Sequence, residues 1–154
     1  MQVFRLCNSA YASDLSGLGA ALFPGRWNKA GTPVLYTSER PETALLEVLV
    51  NAPPLMLPEL TLLSLEIPDD SILTLSASDL PEHWYQYPAP SVLADIGQNW
   101  IDEGRFLSLM VPSSIVHTAF NILINGHHPN INKLRLISQE PFYFDTRLRL
   151  IGKG

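Results

Sequence analysis

Two stretches of this chain carry an apolar stripe at helical spacing, 41–51 and 88–103, whereas its other apolar runs are short, strand-like and bunched towards the C-terminal half. That imbalance points to an α+β chain built on antiparallel strands, not to alternating βαβ units. Strands are expected at Gln2 to Leu6, Pro33 to Ser38, Leu60 to Ile67, Ile72 to Leu75, Phe106 to Val111, Ser114 to Phe120, Lys133 to Ser138 and Pro141 to Phe144. Pro41 suits a first helical position and Glu42 the positive end of the helix dipole, and Pro53-Pro54 is expected to end that helix. The second helix lines up Val92, Leu93, Ile96 and Trp100 and stops at Gly104. Residues 13–30 read as a glycine-punctuated loop, and no Gly-x-Gly-x-x-Gly opens a helix after a strand, so the Rossmann fingerprint is absent.

At 154 residues the chain fits one domain, 1–154, with its own core, and its 13 prolines are scattered instead of forming a linker. A hydrophobic share of 46% against a charged share of 16% predicts an ordered protein with apolar surface for a partner. The net charge is -5 and Lys and Arg do not cluster, so direct nucleic-acid binding is not expected. The N-terminal residues lack a basic segment followed by an apolar run, and no stretch is long enough to span a bilayer, so a cytoplasmic protein without membrane contact is expected. Cys7 is the only cysteine, which excludes an intrachain disulfide, and it reads as a small apolar residue buried in the first strand.

The chemistry concentrates in 24–47, where Arg26, Tyr36 and Glu47 fall on three successive elements. The arginine fork suits a pyrophosphate, although stacking on Trp27 or pairing with a structural acid is open to it. Tyr36 in a strand is either a stacking ring or core, Trp27 a pocket wall or core, and Asn28 a turn residue. Glu47 lies on a helix apolar almost all the way round, so its carboxylate is paired or functional, or else reaches water at the helix rim. Ser113 or Ser114 places a hydroxyl at a strand end, without the Gly-x-Ser-x-Gly setting of an acyl-transfer serine. Asn121 and Asn125 form a polar cluster, His127 and His128 a surface turn, and Arg5 is either an edge-strand charge or a second cation pointing into the same pocket.

In order along the chain, Gly25-Arg26-Trp27-Asn28, Tyr36-Thr37-Ser38, Ala44 to Glu47, Val111-Pro112-Ser113, Asn121 to Asn125 and Phe142 to Leu148 resemble the RES-domain family nearly end to end. Where that family has Asn-Pro before its histidine, Gly126 follows Asn125 here. The resemblance implies a fold similar to ADP-ribosyltransferases, with split antiparallel β-sheets and flanking helices around an NAD cleft. It also implies the toxin half of a bacterial toxin–antitoxin pair that consumes NAD+ as substrate, with no resident cofactor or metal. Catalytic roles would fall to Arg26, Tyr36 and Glu47. Arg5, Trp27, Asn28, Ser113 and Asn121 would bind substrate, Ser113 being the family serine. The implied partner is a helix-turn-helix antitoxin of the Xre type in a hetero-oligomeric complex. Cleavage of the nicotinamide–ribose bond, by water or phosphate, stands beside transfer of ADP-ribose to a protein and beside a non-catalytic binding role.

Overall fold

The computed structural model describes residues 1–51 and 59–148. Its elements, in order, are β1 (Gln2–Asn8), α1 (Leu18–Leu22), β2 (Val34–Ser38), α2 (Pro41–Asn51), β3 (Leu60–Glu66), β4 (Ile72–Thr74), α3 (Ser91–Glu103), β5 (Ser108–Pro112), β6 (Phe120–Asn125) and β7 (Arg135–Phe142). The strands form one mixed sheet in the order β4-β5-β6-β2-β1-β3-β7, antiparallel except for the parallel pair β4 and β5. Its middle is narrow. Strands β1 and β3 pair from Gln2 with Glu66 to Asn8 with Leu60, but β1 meets β2 only where Phe4 faces Ser38. The expected split is therefore a constriction between the halves β4-β5-β6-β2 and β1-β3-β7.

Alternation along the strands divides the core between the two sides of the sheet. Leu35, Ile122 and Ile124 pack with Val3, Leu63 and Leu65, while Val34 and Leu123 pack with Trp27, Trp84, Leu93 and Trp100 under α3. A third cluster sets Ala44 of α2 on Leu6 and Leu60. The Trp100 indole donates to the carbonyl of Phe106 at 3.0 Å, which ties the end of α3 to the approach of β5.

Four local expectations need correction. Residues 114–119 are a turn and not a strand, because Ser113 Oγ accepts the amides of Ile115 and Val116, and Ser113 N–H closes the loop on the Ala119 carbonyl at 2.8 Å. The two late strands are one, β7, which runs through Pro141; an edge strand tolerates a missing N–H. The glycine-punctuated loop contains the short helix α1. The second long helix starts at Ser91, since Pro90 holds an extended conformation before it. Helix α2 matches its expected span, and Pro53-Pro54 lies outside the described residues.

Candidate functional site

Sheet register aligns the polar residues of the site at one end of the β4-β5-β6-β2 half. Ser38 of β2 faces Asn121 of β6, Asn121 faces Val111 of β5, and Ser113 follows the end of β5. Ser38 Oγ donates to Asn121 Oδ1 at 2.7 Å, which turns the Asn121 amide outward to donate to Glu47 Oε1 at 2.8 Å. Ser113 Oγ donates to the same oxygen at 3.2 Å. Helix α2 thus presents a carboxylate pinned through one oxygen by two neutral donors. Its second oxygen has no hydrogen-bond partner among the described residues.

Glu47 is half-buried and not sunk in apolar surroundings, because only Thr43 and Ala44 of α2 are buried and the rest of that helix is partly or fully exposed. Of the two serines, Ser113 is the one engaged; it is buried, and its hydroxyl is fully used by Glu47 and two backbone amides.

The loop that carries Arg26 is organised by Asn28. Its Oδ1 accepts from Gly25 N–H and from the Tyr36 hydroxyl, both at 2.8 Å, and its Nδ2 donates to the carbonyls of Ala20, Thr32 and Lys29 at 2.8, 3.1 and 3.3 Å. The side chain is buried and every polar atom on it is committed to the chain itself, so Asn28 shapes the loop and has nothing left with which to bind a ligand. The Tyr36 hydroxyl also accepts Trp27 N–H at 3.1 Å. Burial pushes the Tyr36 phenol pKa up, against the lowering effect of that amide and of Arg26 nearby. A Cβ at Gly25 would lie 2.8 Å from the Tyr36 ring, so only glycine admits the loop this close to the tyrosine. Tyr36 is partly buried, and its hydroxyl, taken by Asn28 on one side and the Trp27 amide on the other, makes the residue a strut between β2 and the Arg26 loop.

Trp27 is 3% exposed and belongs to the core under α3, which corrects its assignment to substrate binding. Its carbonyl lies where a Cβ on Gly97 of α3 would come within 1.7 Å. Lys29 pairs with Asp95 at 2.7 Å, and Thr32 Oγ1 donates to Gln98 Oε1 at 3.0 Å, so the loop is pinned to α3 on both sides of its tip.

Arg26 is half-buried, and its Nη1 donates to the carbonyls of Trp84 and Gln86, each at 2.9 Å. Neither stacking on Trp27 nor a structural acid explains it. Its other N–H groups have no partner among the described residues. Burial draws its pKa down, while the Glu47 carboxylate and the Tyr36 phenol pull the other way; the three groups share one electrostatic environment. Arg5 lies on the strand face that carries Val3 and Cys7, and its Nη1 donates to the Tyr36 carbonyl at 2.9 Å. It bridges the constriction between β1 and β2, and its Nε is buried without a partner among the described residues. The structure therefore joins Arg5 to the site through the backbone of Tyr36.

Cys7 is partly buried, and burial raises its thiol pKa despite Arg5 beside it. His128 is buried instead of exposed, with Nε2 on the Gly104 carbonyl and Nδ1 accepting Asn130 N–H, both at 3.0 Å; only His127 keeps a surface position. Sequence reasoning did not find Ser38, the carbonyls that hold Arg26, or the aromatic loop they belong to. Ser38 had a signal in its strand, but its partner is 83 positions away. A hollow of about 200 Å³ lined by Ser9, Ala12, Thr61, Gln139, Glu140 and Pro141 holds one carboxylate, no cation and none of the residues above. No group of three or more His, Cys, Asp or Glu among the described residues is placed to hold a metal, and no described helix is long and apolar enough to cross a membrane.

The RES domain family matches residues 2–145. "Toxin Res" of Yersinia enterocolitica is 37% identical over 153 residues, covering 97% of this chain and 100% of that one. The "Prs ADP-ribosylating toxin" of Sphingobium sp. is 33% identical over 141 residues, covering 89% of this chain and 88% of the relative. Among solved structures, a chain of the M. tuberculosis MbcT-MbcA toxin-antitoxin complex superposes with a TM-score of 0.77 at 18% identity, over 92% of this chain and 83% of that one, which is a likeness of fold.

Proposed function

The chain belongs to the RES-domain family, and we propose that it is the toxin of a toxin–antitoxin pair and acts on NAD+ by breaking the nicotinamide–ribose bond. The observation that carries this reading is Glu47, fixed through one oxygen by Asn121 and Ser113 with the other oxygen open, in the field of an arginine that has unpartnered donors. Cleavage sends the C1′–N electron pair onto the pyridinium ring, which leaves as neutral nicotinamide. The ribose carbon becomes oxocarbenium-like, an acceptor bonds to it, and the acceptor's proton is released. A fixed carboxylate beside that carbon stabilises the positive charge as it develops, with no reorganisation at the moment of reaction. Arg26 offers its remaining N–H groups to the pyrophosphate, and Arg5 supports β2 at the constriction.

Asn121, Ser113, Tyr36 and Asn28 act in this scheme as positioning residues. The first two aim the carboxylate and the last two hold the arginine loop. Removing a preorganised electrostatic group of this kind lowers the rate by ~10²–10³, which is the loss expected for Glu47→Gln. Transfer of ADP-ribose to a protein is a second reading, favoured by the name of the Sphingobium relative. Incubating lysate with the protein and NAD+ labelled in its adenosine half separates the outcomes. Free ADP-ribose or its phosphate supports cleavage with a small acceptor, a discrete labelled protein supports transfer, and undiminished NAD+ sinks both. The partner proposed is a helix-turn-helix antitoxin of the Xre type, with both proteins in the cytoplasm. The toxin-antitoxin complex among the structural neighbours supports a partner, as do exposed Phe23 and Tyr87 on the two segments joined by Arg26.

A further inference from the structure

Tyr85 and His117 form an aromatic pair that the chemistry above leaves unused. The Arg26 guanidinium holds the carbonyls on either side of Tyr85, those of Trp84 and Gln86. The Tyr85 ring centre lies 4.8 Å from that of His117 with planes at 37°, and Trp84 stands behind His117 at 5.0 Å and 49°. His117 is carried in turn by the Ser113 turn. The hydroxyl that donates to Glu47 accepts the amide of Val116, the preceding residue, at 3.3 Å. The pair therefore links the arginine end of the site to its carboxylate end.

Exposure separates the three rings. Trp84 is 5% exposed and serves as backing, whereas Tyr85 is 43% exposed and His117 is exposed. Shielding Trp84 accounts for the contact with His117 but gives no reason for a second ring stacked in front of it and open to solvent.

We infer that Tyr85 and His117 form the seat of the nicotinamide ring. This rests on the NAD+ reading above. With the reacting ribose carbon at Glu47, the ring bonded to that carbon lies beside the turn that carries His117. Nicotinamide in NAD+ is a flat cation, and the face of a tyrosine ring is electron-rich. The pair would thus set specificity for the pyridinium end, while Arg26 holds the phosphates.

The test compares equilibrium binding of NAD+ and of ADP-ribose, which lacks the nicotinamide, to the Glu47→Gln protein with Tyr85 intact, Tyr85→Ala or Tyr85→Phe. Calorimetric titration gives the affinities, and thermal melting of each variant confirms its fold. Aromatic stacking on a base predicts that Tyr85→Ala weakens NAD+ binding by between about fivefold and a hundredfold. ADP-ribose binding should be unchanged and Tyr85→Phe near the parent. Equal losses for both ligands, or no loss for either, would overturn the inference while leaving the NAD+ reading intact. Failure of the parent Glu47→Gln protein to bind either ligand would bring down the NAD+ reading and this inference with it.

Discussion

Asn28→Asp changes one amide nitrogen into an oxygen and attacks the point on which the Arg26 loop hangs. In the native protein that nitrogen donates to three carbonyls, at 2.8, 3.1 and 3.3 Å, inside a residue that is 3% exposed. An ionised aspartate would set a negative oxygen against three acceptors with no cation to pair it, so the folded protein keeps this carboxyl protonated. Holding a proton at pH 7 on a group of ordinary pKa ~3.9 costs about 4 kcal/mol, out of the ~5–15 kcal/mol typical of a whole domain. The folded pKa is raised, so the folded state binds the extra proton, and the deficit is least near pH 4 and grows as pH rises towards the folded value. At pH 5 the same term is about 1.5 kcal/mol. Urea denaturation of parent and variant at the two pH values should give a deficit larger by about 2.5–3 kcal/mol at pH 7 than at pH 5. NAD+ consumption should fall as the loop loosens. A variant as stable as the parent at pH 7, or a deficit that does not change with pH, would refute the hub assigned to Asn28.

Tyr36→Phe should lower stability by about 1–3 kcal/mol through the stranded Trp27 amide, read as a drop in urea midpoint. Because burial raises the folded Tyr36 pKa, its contribution is complete below the unfolded value near pH 10 and is lost above it at about 1.4 kcal/mol per pH unit; the phenylalanine variant should lack that alkaline slope. Ser113→Ala removes a donor from Glu47 and the acceptor of two amides, so it should cost both activity and about 1–3 kcal/mol of stability, whereas Ser114→Ala should be close to neutral in both assays. Gly97→Ala would drive a methyl to within 1.7 Å of the Trp27 carbonyl, and a melting temperature equal to the parent's would contradict the packing of α3 on the loop.

Much of the site was legible because its parts lie on elements with clean local signals. Alternation along Val34 to Ser38 and the proline start of α2 gave the spans that carry Tyr36 and Glu47, and both strand and helix occur where expected. What could not be read locally was the hydrogen bonding. Asn28 looks like any turn residue until Ala20, Thr32 and Tyr36 converge on it, and nothing local marks the Tyr36 hydroxyl as a group taken on both sides by Asn28 and the Trp27 amide. The apolar composition of α2 suggested a helix buried all round. The helix instead packs on Leu6 and Leu60 through Ala44 and has only Thr43 and Ala44 buried, which leaves Glu47 half in solvent. Ser113 captures backbone amides that a strand would have used, which is why β-type residues at 115–119 form a turn. Long-range register decides the rest. Ser38 is far in sequence from Asn121 and Ser113 and meets them only because β2 lies beside β6, which pairs in turn with β5.

The most direct test of the central claim is intracellular NAD+ after brief induced expression, with the wild-type chain, Glu47→Gln and Arg26→Ala compared at matched soluble levels. Rapid loss of NAD+ with the wild type, and its preservation with both variants, is the predicted result. NAD+ that stays constant with the wild type, or that falls as fast with Glu47→Gln, would contradict it.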